Sequence, residues 1–314
     1  MTKLRRYSKN SVNPALPYLT NALPCRKGGI NRGLLFSIFI IAFLTGCSSS
    51  TRPTFLKENI PAAIQDILKK EYKIDIKARL VGETLWIYLP VENLLEKADK
   101  PEKYSERFIV KQNKSELKGN SLNIEYWINA APETEKKQDI KYNKNILEKI
   151  NNVWTVVRRV LFSMEHTNTP EPKFICLIAA DIKNGIEIKE VTYYPDLKKV
   201  SYNFISTGEY HHRVIQDVDY LPEIIGDREG ISLNYTDIAL DDFLAEQIRC
   251  RIRLKFQKPE VDKNANIDKE VAKIVVYTIK TYGFKDFREV ELNNLDTNNK
   301  VILNRAAVWA RPTD

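Results

Sequence analysis

The chain has 314 residues, which is enough for one large or two smaller domains with real hydrophobic cores. Its formal net charge of +8 would by itself suggest a nucleic-acid or membrane-surface partner. However, residues 1–46 carry seven of the 49 basic residues and no acidic residue, which leaves 42 Lys and Arg against 41 Asp and Glu in the remainder. The near-neutral remainder removes the main support for a nucleic-acid partner, and none is expected.

An apolar run extends from Leu34 to Leu44, and the residues Thr45-Gly46-Cys47 and three serines follow it. The run is 11 residues long. A helix needs about 20 apolar residues to cross a bilayer, so the run is too short for an ordinary membrane span. An apolar run that is closed by small residues is typical of a secretory signal peptide.

The order Leu44-Thr45-Gly46-Cys47 resembles the lipobox of bacterial lipoproteins. In that class the leader is cut off in front of the cysteine, and the cysteine thiol is diacylated. The resemblance implies that residues 1–46 are a signal peptide, that Cys47 is the lipidated mature terminus labelled by palmitate, and that residues 47–58 are the lipidated cysteine and its tether. Ser48 resembles the outer-membrane sorting pattern, so the expected location is the outer membrane, facing the periplasm. The alternative is a signal peptide or short buried helix that ends at a cysteine by coincidence.

The 33 residues before the apolar run are many more than a signal peptide usually carries there. A start site assigned too far upstream is the preferred explanation. We therefore expect residues 1–33 to be dispensable for export or not translated.

The first half of the remaining chain begins with a helix. Residues Ile64, Ile67, Leu68 and Tyr72 form one apolar stripe and predict a helix over 62–72. Alternation then predicts two strands, 74–80 and 84–89, and a second hairpin, 107–112 with 122–128; residues 132–141 are expected to be a loop.

The second half begins with the strongest predicted helix, 144–164, whose apolar residues recur at intervals of four and three. A three-stranded meander is expected after it, in the segments 174–181, 186–194 and 199–206. The pattern over 237–256 fits both helix and strand, and helix is favoured for 237–247. The expected final elements are a helix over 267–282 and a hairpin of 287–292 with 300–310.

These elements predict an α+β fold in which helices pack on one face of antiparallel sheets. A helix followed by two strands occurs three times, at about 61–90, 144–194 and 267–310, which is either a repeated unit or a chance recurrence. Two α+β regions are expected, residues 59–206 and 207–314. Whether the two regions form one domain or two domains stays open.

Cysteine and histidine residues do not point to a metal or cofactor site. The region after the tether contains Cys176 and Cys250, for which two separate thiols are expected and a disulfide stays open. Its three histidines are His166, His211 and His212, and they lack the spacing of zinc ligands. On a strand, the adjacent His211 and His212 would point to opposite faces.

The sequence contains no informative nucleophile motif and no glycine-rich phosphate loop. A structural role or the binding of a partner or ligand is therefore the preferred function. The alternative is an envelope hydrolase with a scattered site, which would gather His211 or His212 with Asp217 or Asp219.

Aromatic residues in the predicted strands offer a candidate binding surface, made of Trp86, Tyr88, Tyr126 and Trp127. Trp86 and Tyr88 lie on the strand face opposite Leu85 and Ile87. If that face is open to solvent, amphipathic rings suit an envelope protein or a glycan as the partner. If both faces are covered, the same side chains belong to the core, and this second interpretation is favoured.

Overall fold

The computed structural model of the chain describes residues 55–132, 135–165, 171–257 and 261–310. The signal peptide predicted over 1–46, the lipidation of Cys47 and the tether residues 48–54 lie outside these ranges, as does His166. The described part contains seven α-helices and eleven strands, and it confirms the predicted α+β class.

The helices and strands alternate in blocks along the chain. The helices are α1 (Ile60–Ile67), α2 (Lys144–Phe162), α3 (Tyr194–Ser201), α4 (Thr207–Arg213), α5 (Leu240–Gln257), α6 (Ile267–Tyr282) and α7 (Arg305–Ala310). The strands are β1 (Lys77–Val81), β2 (Thr84–Val91), β3 (Leu95–Ser105), β4 (Phe108–Lys118), β5 (Ser121–Ala130), β6 (Glu135–Tyr142), β7 (Phe174–Asp181), β8 (Ile186–Tyr193), β9 (Ile215–Tyr220), β10 (Glu289–Asn294) and β11 (Asn299–Asn304).

Sheet one has five strands in the order β1-β2-β7-β8-β9, and all neighbours are antiparallel except the parallel pair β2 and β7. One face packs on α1 and α2 through side chains such as Leu85 and Ile87. The other face packs under residues 221–239, here called the covering segment, and on Phe243 and Tyr282 of α5 and α6. Burial of both faces explains why β2 and β7 are continuous apolar runs.

Sheet two has four strands in the order β11-β10-β5-β4, with β10 and β5 parallel. Its inner face packs on α5 and α6 through Leu122, Ile124, Tyr126 and Ile128 of β5. The residues between them in β5 are exposed or half-exposed. Strict alternation along β5 therefore separates an apolar inner face from a polar outer face.

Four strands of sheet one, β1-β2-β7-β8, have the same plan as sheet two, in which two antiparallel hairpins are joined by the parallel pairing of their inner strands. The predicted units at 61–90, 144–194 and 267–310 correspond to α1-β1-β2, α2-β7-β8 and α6-β10-β11. The first two units make most of sheet one, and the third completes sheet two beside the hairpin β4-β5. A parallel pair needs a long crossover connection, and α2 and α6 lie in those connections.

A two-stranded ribbon of β3 and β6 connects the sheets, because β3 leads from sheet one to sheet two and β6 leads back. Sheet one also takes β9, from the second predicted region, while sheet two takes β4 and β5 from the first. The predicted boundary between residues 206 and 207 therefore does not separate the two sheets.

Two predicted segments have a different structure. Residues 199–206 do not form the third strand of a meander, because Pro195 lies in the first turn of α3 and starts a helix there. The third antiparallel strand is instead β9, which pairs with β8. The ambiguous residues 237–256 are helical from Leu240 onward.

The predicted loop over 132–141 is mostly strand β6, and the predicted strand over 300–310 ends at Asn304 and continues as α7. The described side chains of β6 lack the alternation that marks a strand with one face in a core, because β6 pairs only with the charged β3 in the ribbon. Val308 of α7 is fully buried in the core of sheet two.

Ordered structure begins before the predicted start near Asn59. The backbone N–H of Phe55 donates to the carbonyl of Ser163 at 3.3 Å, and the N–H of Glu165 donates to the carbonyl of Phe55 at 2.8 Å. Within the described ranges, no helix combines the length and the apolar character that a membrane span requires.

Candidate functional site

Trp86 and Tyr88 of β2 are buried, with exposed fractions of 4% and 0%. Trp86 Nε1 donates to the carbonyl of Thr236 at 2.8 Å, and the Tyr88 hydroxyl donates to the carbonyl of Asp227 at 2.5 Å. Both acceptors belong to the covering segment. The two aromatic residues therefore hold this segment across sheet one and do not form an open platform.

Tyr126 of β5 is also buried, and its hydroxyl donates to Asp268 Oδ1 at 2.8 Å. Burial is the main reason that its pKa is raised, and the hydrogen bond to the carboxylate adds to the effect. The candidate surface of Trp86, Tyr88, Tyr126 and Trp127 is thus corrected, because only Trp127 is exposed, at 36%. The other three side chains belong to the core, as the favoured interpretation of the sequence predicted.

Trp127 lies on the outer face of sheet two. Its Nε1 donates to Asp296 Oδ1 at 3.1 Å, and Lys111 Nζ lies 4.6 Å from its ring centroid. The strand register places a mixed set of amide, charged and apolar side chains on the same face: Ile109, Lys114, Asn123, Glu125, Asn129, Glu291, Asn293, Lys300 and Ile302. The sequence does not point to Lys111 or Asp296, since the bulge after Val110 and the turn after β10 are not marked by a motif.

The residues of the hydrolase alternative lie on two elements. His211 and His212 belong to the helix α4, so the opposite-faces argument for a strand does not apply to them. Burial, with a smaller contribution from His212, lowers the pKa of His211. In the described ranges, no group of three or more His, Cys, Asp or Glu side chains is placed to hold a metal ion.

Asp217 of β9 is held by two guanidinium groups of α5. Its carboxylate accepts from Arg249 at 2.5 Å and from Arg253 at 2.8 Å. Burial alone would raise the pKa of Asp217, but the two guanidinium groups outweigh it and hold the pKa below its ordinary value. Asp217 is therefore an ionised anchor between β9 and α5, which is not the environment of a proton-transfer group poised near neutral pH.

A buried ionic cluster joins the helices of the two sheets. Arg213 of α4 donates to Asp196 Oδ1 and to Glu209 Oε1, both at 2.8 Å. Tyr277 of α6 donates to the same oxygen of Glu209 at 2.9 Å, and Arg251 of α5 lies 3.5 Å from it. Asp196 is only 1% exposed. These contacts link four helices, as in a structural junction, while Asp196 Oδ2 and Arg251 Nε have no hydrogen-bond partner of their own.

Two carboxylates in β8 have pKa values raised mainly by burial, and groups of this kind are candidates for chemistry. Glu190 accepts from Trp154 Nε1 and Gln216 Nε2, both at 2.9 Å, in the core under α2. Glu187, whose pKa is raised to about 7, lies on the opposite face beside Asp219. The faces differ because the two positions are three residues apart in a strand, so they cannot act as a carboxylate pair.

Cys176 and Cys250 are both free thiols and both buried, so the expectation of two separate thiols holds. Burial raises the pKa of Cys176 to about 12. A buried thiol with a raised pKa is inert as a nucleophile.

Comparisons of the chain with protein families, with curated proteins and with solved structures give no match.

Proposed function

We propose that the chain is an exported lipoprotein of the outer membrane that faces the periplasm and acts by binding a partner. The observation that carries the proposal is the motif Leu44-Thr45-Gly46-Cys47 and its position relative to the fold. Phe55 follows Cys47 by eight residues and already pairs with the backbone of Ser163. A lipid on Cys47 would therefore hold the folded part directly at the membrane.

Binding is favoured over catalysis because charged groups in two clusters of the described part form ion pairs with one another. Asp217 is paired with Arg249 and Arg253, and Asp196 with Arg213. Proton-transfer catalysis needs a group whose pKa lies near the working pH and which reaches a substrate. Glu187 meets the first condition, but it is only 6% exposed.

The outer face of sheet two supports the binding role. Its one large aromatic side chain, Trp127, offers an amphipathic ring, which is common at interfaces. Amide side chains such as Asn123 and Asn293 both donate and accept hydrogen bonds, so they suit a protein backbone or a glycan. An envelope protein or a glycan is accordingly the proposed partner.

The anchor is tested by replacing Cys47 with Ala in the full chain and following palmitate incorporation and membrane association. We expect Cys47→Ala to lose the label and to leave the membrane fraction. Cys25→Ala is the matched control, because Cys25 lies in the leader and should leave both readouts unchanged. Unchanged labelling of Cys47→Ala would overturn the proposal.

The binding role is tested with a photo-crosslinking amino acid at position 127 or, as a control, at position 225 in living cells. Ile225 is exposed at 51% and lies in the covering segment of the other sheet. We expect a discrete crosslinked product from position 127 alone. If muramidase digestion degrades the crosslinked product, the partner is assigned to a glycan. If the product is unchanged by the digestion, the partner is assigned to a protein. Identical products from both positions, or none, would refute binding by this face.

A further inference from the structure

Three aromatic side chains form a row on the surface of sheet one's helical layer, in which the middle one contacts the other two. Phe162 ends α2, and Tyr202 and Phe204 follow α3. The ring centroids of Phe162 and Tyr202 are 6.1 Å apart with the planes nearly parallel, and those of Tyr202 and Phe204 are 6.5 Å apart. Their exposed fractions are 38%, 62% and 78%. Single exposed apolar residues are ordinary, but adjoining ones form a patch that marks an interaction site.

This aromatic patch lies where the described chain begins. Phe55 pairs through its backbone with Ser163 and Glu165, which follow Phe162 directly in the sequence. Leu56, the next residue, is 38% exposed. The patch and the entry point of the chain therefore share one end of sheet one.

The sequence limits how far a lipid on Cys47 can be from this end. From Cys47 to Phe55 the chain advances by eight residues. Fully extended, they span at most about 29 Å. The attachment makes any contact of the patch with the bilayer intramolecular, so even a weak contact would be populated.

Two lysines beside the patch are already paired. Lys198 is bonded to Glu171, and Lys199 Nζ lies 3.2 Å from Asp196 Oδ1. These two lysines are therefore not free to bind anionic lipids as the residues of a basic segment do. The patch offers an apolar contact through aromatic rings. Aromatic side chains of this kind are enriched at the level of lipid headgroups.

We propose that the patch of Phe162, Tyr202 and Phe204 docks into the interfacial layer of the bilayer that carries the lipid anchor. The contact fixes the orientation of the fold on the membrane, and the anchor itself supplies the attachment. This inference rests on the proposed lipidation of Cys47.

The test uses the lipidated mature protein in vesicles of phosphatidylethanolamine and phosphatidylglycerol with spin-labelled lipids. A polarity-sensitive fluorophore is attached to Phe204→Cys or to Ile225→Cys. Ile225 is the control because it packs beside Gly185, in the turn at the opposite end of sheet one. We expect a blue shift and quenching at position 204 and neither at position 225. Labelling is selective because Cys176 and Cys250 are buried, and because in the proposed mature protein Cys25 is removed with the leader and Cys47 carries the lipid.

Mass spectrometry of the purified protein separates the two proposals. An unmodified Cys47 would refute the lipoprotein function. A lipidated Cys47 with equal quenching at positions 204 and 225 would overturn the docking alone. A blue shift at 204 that grows with protein concentration without lipid quenching would assign the patch to a second copy of the chain and would also overturn it.

A second variant tests the patch as the cause of the orientation. The exposed pair is changed to Tyr202→Ser with Phe204→Ser, and the fluorophore is placed at Leu56→Cys. We expect the protein to stay on the vesicles while quenching at position 56 is lost, with an unchanged melting temperature. Quenching in the parent should resist about 0.5 M salt, which shortens the range of charge interactions to a few ångströms. Retained quenching in the double variant, or its loss in salt, would contradict apolar docking.

Discussion

Trp154 Nε1 donates a hydrogen bond of 2.9 Å to Glu190 Oε2, and this contact joins α2 to β8 inside the core of sheet one. Gln216 of β9 donates to the other carboxylate oxygen. Both of these donors are neutral, and burial raises the pKa of Glu190. The contact therefore packs α2, the strongest predicted helix, against the carboxyl group of Glu190. The surroundings of this group do not favour its ionised form.

Trp154→Ala should lower the free energy of unfolding by about 3–5 kcal/mol, because it removes a large buried side chain. Trp154→Phe keeps most of the ring but leaves Glu190 without one donor, and should cost about 1–3 kcal/mol. Urea denaturation measures both. The control is the exposed Trp127→Phe, expected within about 0.5 kcal/mol of the parent. Equal stability of Trp154→Ala and the parent would contradict the helix-on-sheet packing.

Glu187→Gln should stabilise the fold at pH 8 and leave its stability unchanged at pH 4. The native pKa is raised from its ordinary 4.5 to about 7, chiefly by burial and also by Asp219 and Glu223. The native state thus binds more protons than the unfolded chain between these pH values, so stability falls as pH rises through this window. The penalty for the ionised form is about 3 kcal/mol.

The measurement is urea unfolding of parent and variant from pH 4 to pH 8. The difference in the free energy of unfolding between parent and variant should grow between about pH 4.5 and pH 7 and then stay constant. A constant difference across the whole range would show that Glu187 does not titrate in the native protein.

Much of the fold could be predicted from local patterns. The stripe of α2 follows the helical period, and the hairpin of β4 and β5 follows an alternation interrupted at Gly119. These signals are local because one face of each element packs against a core. The segment that begins at Lys199 shows the limit of local patterns. A strand of the meander was expected there, but Pro195 starts a helix just before it.

The candidate site was harder to predict, because burial of a strand face depends on what covers it. Trp86 and Tyr88 lie on a face that alternation alone leaves ambiguous. The covering segment that buries them contains Asp227 and Thr236, over 130 residues further along the chain. Nothing in the local pattern of β2 reports such a distant segment. Trp127 alternates in the same way and remains exposed.

Gly82→Ala should destabilise the protein more than Gly119→Ala does. Both glycines have left-handed backbone angles, with φ of +60° and +58°. An L side chain there costs about 1–2 kcal/mol. At Gly82 a Cβ atom would also lie 2.1 Å from Asp237 Oδ2, whereas nothing lies within 4 Å at Gly119. The overlap should add about 1–3 kcal/mol.

A double-mutant cycle with Asp237→Ala separates the two causes. Asp237 Oδ1 accepts from the Glu83 N–H and the Thr84 hydroxyl, both at 2.9 Å, and so holds the covering segment. In the Asp237→Ala background, the two glycine substitutions should cost the same. Equal costs already in the parent background would refute the close approach.

The native protein should react with a thiol reagent only after unfolding, apart from any thiol outside the described residues. Cys176 and Cys250 are buried and unpaired, and burial raises the pKa of Cys176. Since the thiolate is the reactive form, both groups should be protected. Mass spectrometry after alkylation with and without denaturant counts the modified sites. Alkylation that fails at both residues even in denaturant would reveal a disulfide.

Arg213→Met should lower the free energy of unfolding by about 3–5 kcal/mol, because it leaves the buried carboxylate of Asp196 without its main partner. Glu209 is less affected, since Arg251 and Tyr277 remain beside it. Adding Asp196→Leu to Arg213→Met should restore most of the loss, as apolar replacement of a buried pair is often neutral.

The matched control for Arg213→Met is Arg159→Met, which breaks an exposed ion pair in which Arg159 Nη2 lies 2.6 Å from Glu71 Oε1. Side chains in such a pair stay solvated, so its loss should cost far less than the loss of the buried pair. Urea unfolding, followed by tryptophan fluorescence and by circular dichroism, compares the variants. If the junction joins the helices of both sheets in one cooperative unit, the two probes should show coincident transitions. Arg213→Met should then shift these transitions far more than Arg159→Met does. Equal shifts, or two separate transitions in the parent, would contradict that role of the junction.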